Sequence, residues 1–156
     1  MELSEIRERI QNTPLVQRLP EGMHKRFVKL LLWLAQTEEV SREEELFTQG
    51  DKDTDRGVLL LEGMVRIITE ETDKKTIEAP DILGEVQLFT PQGARTATVK
   101  VIVGGIILTF KWRELAEEAI NVYTDDEMNT LKKVIAESAW TREKDLFDKV
   151  KHSMSQ

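Results

Sequence analysis

The hydrophobic period changes twice along these 156 residues, and this limits the folds open to the chain. Over 1–36, Leu3, Ile6 and Ile10, then Phe27, Leu30, Leu31 and Leu34, recur at helical spacing, broken by Pro14 and by LPEGM at 19–23. This predicts N-terminal helices, two of them, joined by a bent connector. Over 37–111 the pattern becomes short stretches rich in Val, Ile, Thr and Phe: ELF, GVLLLEG, MVRIITEE, KKTIEA, TATVKVIV and IILTF. Gly50-Asp51, Gly63, Thr72-Asp73, Pro80-Asp81, Gly93 and Gly104-Gly105 punctuate them. Many short strands with such turns predict an antiparallel sandwich or barrel, with Gly104-Gly105 making a tight hairpin.

Over 112–156 the helical period returns. KWRELAEEAI reads as one short helix, and a long C-terminal helix follows, begun by Thr124 and Glu127 at capping-box spacing. Met128, Leu131, Ile135, Ala139, Leu146 and Val150 form a seam along it, interrupted by Arg142. The seam fits equally a homodimer through the C-terminal helix and a helix laid along its own domain.

Charge and side-chain chemistry remove several function classes. With 22 Lys and Arg against 29 Asp and Glu, the net charge of −7 opposes general affinity for nucleic acid, which depends on neutralising phosphates. The chain has no cysteine and only His24 and His152, so thiolate chemistry is excluded and no metal site is expected. Neither histidine has a Ser or acid partner at a plausible spacing, and an enzyme is not expected. The apolar runs are far too short for a membrane span, and the charged MELSEIRERI start is unlike a signal peptide; a cytoplasmic location is the expectation.

The chemistry concentrates in DILGEVQLFTPQGARTATVKV at 81–101. Gly84 lets the backbone turn closely, and one helical turn after it would offer free N–H groups to an anion. Glu85, a poor neighbour for an anion, is suited to accept from something neutral such as sugar hydroxyls. Arg95 can fork onto a phosphate or carboxylate. From spacing alone, the two also fit a simple salt bridge across a turn.

LFTQGDKDTDRGVLLLEGMVRI at 46–67, followed by APDILGEVQLFTPQGARTATVKV at 79–101, resembles the cyclic nucleotide-binding domain family. The match comprises a Gln-Gly-Asp turn, an apolar strand ending at Gly63, a hairpin, a Gly-Glu turn and then Arg-Thr-Ala. The resemblance implies an antiparallel β-roll, a double-stranded β-helix of jelly-roll type, carrying N-terminal helices and a long C-terminal helix. It implies cyclic AMP or cyclic GMP as ligand, the latter because a Thr beside the Arg occurs in cyclic-GMP-binding relatives. Glu85 would then accept the ribose 2′-hydroxyl and Arg95 pair with the cyclic phosphate. Gly84, Val86, Gln87, Thr96 and Ala97 would line the pocket with backbone N–H groups, and Trp140 or Tyr123 would stack on the base. Gln87 departs from the small residue usual there, Asp53 likewise, and the spacing from Gly50 to Gly63 is one residue longer than usual.

This sequence holds no winged helix, kinase or pore segment after the long helix; if the chain is complete, signal output is expected to pass through an unidentified protein partner or through self-association. The competing reading is a degenerate roll that binds no nucleotide and serves as an interaction or dimerisation module, whose signature would be an Arg95–Glu85 bridge.

Overall fold

The structure, a computed structural model, describes residues 1–69, 73–85 and 94–154, with 73, 74 and 143–154 as backbone alone. Three helices open the chain: α1 (Leu3–Gln11), α2 (Pro14–Arg18) and α3 (Glu21–Leu34). The expected bent connector is therefore itself largely helical. Pro14 begins α2 at a position where its missing N–H costs nothing and its fixed φ already suits a helix.

Among the described residues six strands follow: β1 (Gln36–Val40), β2 (Glu45–Phe47), β3 (Arg56–Thr69), β4 (Asp73–Glu78), β5 (Asp81–Leu83) and β6 (Thr98–Lys111). All their pairings are antiparallel. The two 14-residue strands β3 and β6 pair along their length and share the other strands between their halves. The first half of β3 takes β5 and its second half β4, while β6 takes β2 near its start and β1 near its end.

Two expected turns are absent. Gly104 and Gly105 do not form a hairpin: β6 runs straight through them. A side chain at Gly105 would run into the carbonyl of Glu62, so these glycines serve close strand crossing. Nor does the strand end at Gly63. It continues through that residue at φ +108, where the register with β6 slips around Glu62, a bulge that bends the long ribbon.

The run of leucines in β3 is buried on both faces. Val58 and Leu60 point into the roll with Phe47, Val65, Leu83, Val99 and Ile107. Leu59 and Leu61 point the other way, into a cluster with Phe27 and Leu31 of α3. Strand alternation thus feeds two cores from one segment, each fully buried leucine contributing roughly 1.5–3 kcal/mol.

After β6, α4 (Trp112–Ala119) and α5 (Asp125–Met154) return to the helical cluster. The capping box forms as its spacing predicts: Thr124 N–H donates to Glu127 Oε1 at 3.1 Å and Glu127 N–H to Thr124 Oγ1 at 3.2 Å. Leu131 and Val134, with partly buried Met128 and Ile135, pack on this domain's own cluster. Over these residues the seam is spent within the chain; Leu146 and Val150 lie outside the described side chains. No helix among the described residues is long and apolar enough to cross a membrane.

Candidate functional site

Gly84 follows β5 with φ +100, a conformation L side chains rarely adopt, and a Cβ there would lie 2.8 Å from the carbonyl of Arg56. The turn delivers Glu85 into the interior, where it is 0 % exposed. Arg95 reaches the same place from the far end of the segment. Its main chain is stitched to the Gln-Gly-Asp turn: Gly50 N–H donates to Arg95 O and Arg95 N–H to Asp51 O, both at 2.8 Å. Gln49 N–H adds a bond to Thr98 Oγ1 at 3.0 Å.

The Arg95 guanidinium, buried at 3 % exposure, donates to the carbonyls of Asp53 (3.3 Å), Gly84 (3.2 Å) and Arg56 (2.8 Å). It lies 4.0 Å from the Phe47 ring centroid, where the ring's negative face favours a cation by about 0.5–2 kcal/mol. Burial lowers its pKa, with nearby Asp53 working against that shift. The Gly84 carbonyl that receives Arg95 belongs to the residue preceding Glu85, so the acid and the fork are neighbours without being a pair.

Glu85 pairs with α5 instead. Arg142 Nε donates to Glu85 Oε1 at 2.8 Å, and Ser138 Oγ, one turn earlier, donates to the same oxygen at 3.3 Å. Arg142 Nη2 also reaches Asp81 Oδ1 at 3.4 Å and the carbonyl of Ile82 at 3.1 Å. Desolvation pulls the Arg142 pKa down, but Glu85 and Asp81 outweigh it and hold the cation charged. Burial raises the Asp81 pKa despite Arg142. Glu85 Oε2 is buried with no hydrogen-bond partner. Removing one member of a buried ion pair of this kind costs about 3–5 kcal/mol.

Of the sequence-derived site residues, Arg95 meets Gly84 through the Gly84 carbonyl, Glu85 follows in the turn and faces α5, and Thr96 and Ala97 are half-buried between Arg95 and β6, with Ala97 packed on the roll core. Val86 and Gln87 lie outside the described residues. Trp140 projects from α5 at 68 % exposure. Tyr123 is buried among the helices, its hydroxyl donating to Met23 O at 2.8 Å and its pKa pushed up to about 12 by burial. Sequence reasoning missed Phe47, Asp81, Ser138 and Arg142. The available signal was the cation interrupting the apolar seam of α5.

An antiparallel roll with a Gly-Glu turn and a buried arginine beside it is the class of domain that the fold and site define. The family model described as the cyclic nucleotide-binding domain matches residues 37–120, and the chain belongs to that family. Among solved structures it is similar to the sensor domain of the transcriptional regulator DNR from Pseudomonas aeruginosa (16 % identity, TM-score 0.64, covering 87 % of this chain and 91 % of that one). It is also similar to the c-di-GMP responsive global regulator CLP of Xanthomonas campestris (16 %, 0.63, 81 % and 63 %). A third is the regulatory domain of Toxoplasma gondii PKA crystallised with cAMP (15 %, 0.59, 73 % and 43 %). The chain thus spans under half the length of that regulatory domain. No curated protein matches the sequence.

Proposed function

We propose that this chain is a sensor of a cyclic mononucleotide, with cyclic AMP first and cyclic GMP second, that controls a protein partner by repositioning α4 and α5. The observation that carries this reading is the buried, unpartnered Oε2 of Glu85. It sits one residue from a carbonyl that stations the guanidinium of Arg95. An acceptor for a sugar hydroxyl and a fork for a phosphate are the two polar requirements of a cyclic nucleotide, and the apolar roll around them strengthens both contacts. Gly84, Val86, Gln87, Thr96 and Ala97 supply the rest of the lining. Trp140, exposed on α5, is the proposed base cap once α5 has been repositioned, since the Tyr123 hydroxyl is committed to Met23.

Thermal unfolding with and without each nucleotide tests the reading. Ligand at a hundredfold excess over its dissociation constant adds about 2.7 kcal/mol, a shift of about 5–11 °C at this chain length. The shift disappears in Arg95→Lys, whose point charge cannot reproduce the fork. No shift with either nucleotide overturns the proposal.

The second reading is a roll that binds no nucleotide and acts as an interaction module. What favours it is that Glu85 already holds an ion-pair partner, Arg142. The Arg95–Glu85 bridge that this reading predicts is not the pairing found.

A further inference from the structure

We propose that Arg142 is an internal clasp that closes the ligand site: it fastens α5 over Glu85 in the nucleotide-free protein, so that nucleotide binding and release of α5 are one event. This deepens the nucleotide reading above and rests on it for the identity of the ligand.

Arg142 and Ser138 lie one helical turn apart on one face of α5, and both donate to the same oxygen of Glu85. Ala139 between them is 2 % exposed, so the helix backbone approaches closely here. Arg142 side-chain exposure is 13 %, that of Asp81 is 16 % and that of Glu85 is 0 %. The cation thus closes over two carboxylates, one at the start of β5 and one in the turn after it. A sugar hydroxyl meeting Glu85 would have to reach the buried Oε2 of a carboxylate whose other oxygen already takes two donors from α5.

The free energy holding α5 down is therefore subtracted from ligand affinity. A chain whose binding-competent state is only fractionally populated shows an affinity reduced by that fraction. By reciprocity, whatever nucleotide gains by opening α5, loosening α5 returns to nucleotide. Loss of Arg142 would leave Glu85 buried without its ion-pair partner, a state relieved when the helix lifts and water reaches the carboxylate.

The test uses the whole chain and two variants. Arg142→Gln removes the cation, and Asp81→Asn weakens the same clasp without touching Glu85. In nucleotide-free protein, amide hydrogen exchange over 125–142 should rise roughly fivefold or more in Arg142→Gln, the low end of ordinary coupling. It should rise less in Asp81→Asn, with β3 and β6 unchanged in both. Calorimetric titration with cyclic AMP and cyclic GMP should give a dissociation constant about fivefold or more lower for Arg142→Gln, and Asp81→Asn should move in the same direction. Unchanged exchange in α5, or weaker nucleotide binding by Arg142→Gln, overturns the clasp. Faster exchange in both variants, with no nucleotide bound by any of the three proteins, upholds α5 fastening and overturns the ligand reading instead.

Discussion

Arg26 in α3 grips both carboxylate oxygens of Glu127 in the first turn of α5, with 2.8 Å between Nη1 and Oε1. The pair fastens the start of the last helix to the N-terminal helices, 101 residues away in sequence. The bond from Arg26, helped by the Thr124 N–H, holds the Glu127 carboxyl down at about 2. A depressed carboxyl contributes stability that is complete above its unfolded value of about 4.5 and is lost as pH falls toward 2. The melting-temperature gap between the wild type and Glu127→Gln should therefore narrow to nothing between roughly pH 4.5 and pH 2. A gap that stays constant with pH would mean that the carboxylate's charge is not what stabilises. Both side chains are partly exposed, so the gap is small and shrinks with salt.

Asp81 titrates in the opposite sense. Burial raises its pKa, so its ionisation costs stability as pH climbs past the unfolded value of 3.8, a cost the nearby Arg142 reduces. Asp81→Asn should therefore flatten this part of the pH profile, read as a melting temperature that falls less between acid and neutral pH than in the wild type.

Gly105→Ala should destabilise the roll by about 1–3 kcal/mol, because the new methyl meets the backbone of Glu62 and Gly63 and no flexible side chain that could give way. A lower urea midpoint with an unchanged slope would record it. An unchanged midpoint would show that the two strands can part there at no cost.

Leu59→Ala and Leu60→Ala should each cost about 2–5 kcal/mol, yet loosen different halves of the molecule. Leu59 packs with the helices and Leu60 with the roll interior. Hydrogen exchange should quicken first in α1–α3 for the former and in β4 and β6 for the latter. The same exchange pattern in both would count against two separately packed cores.

Asp55→Ala should weaken the start of α4 by about 0.5–2 kcal/mol, since Asp55 Oδ1 accepts the Arg113 N–H at 3.0 Å as a cap supplied from another segment. Asp55→Asn, which keeps an acceptor, should recover most of the loss in a denaturation titration.

The parts of this fold that local chemistry governs were legible in the sequence. Helical periods, turn residues, the capping box and the Gly-Glu and Arg-Thr-Ala segments announced themselves over a few residues. Gly63 and the Gly104-Gly105 pair were misread because a glycine needed for close approach of a distant strand looks the same as one needed for a turn. The partner of Glu85 was harder still, since Arg142 lies 57 residues further on and is brought there only by the packing of α5. A cation in an apolar seam marks a place where something buried and negative must answer it, and that rule would have pointed to Arg142.

The segment from Asp51 to Asp55 is fastened at both ends. Asp51 and Asp53 take bonds from Arg95, while Asp55 accepts the N–H of Trp112 through its carbonyl and that of Arg113 through its side chain. It works as a short strap between the arginine and the start of α4, while Glu85 is tied separately to α5. On the proposed reading, a nucleotide's phosphate would tug one helix and its sugar the other, so the two ends of one small molecule would operate two distinct levers. Analogues trimmed at either end would move α4 or α5 alone.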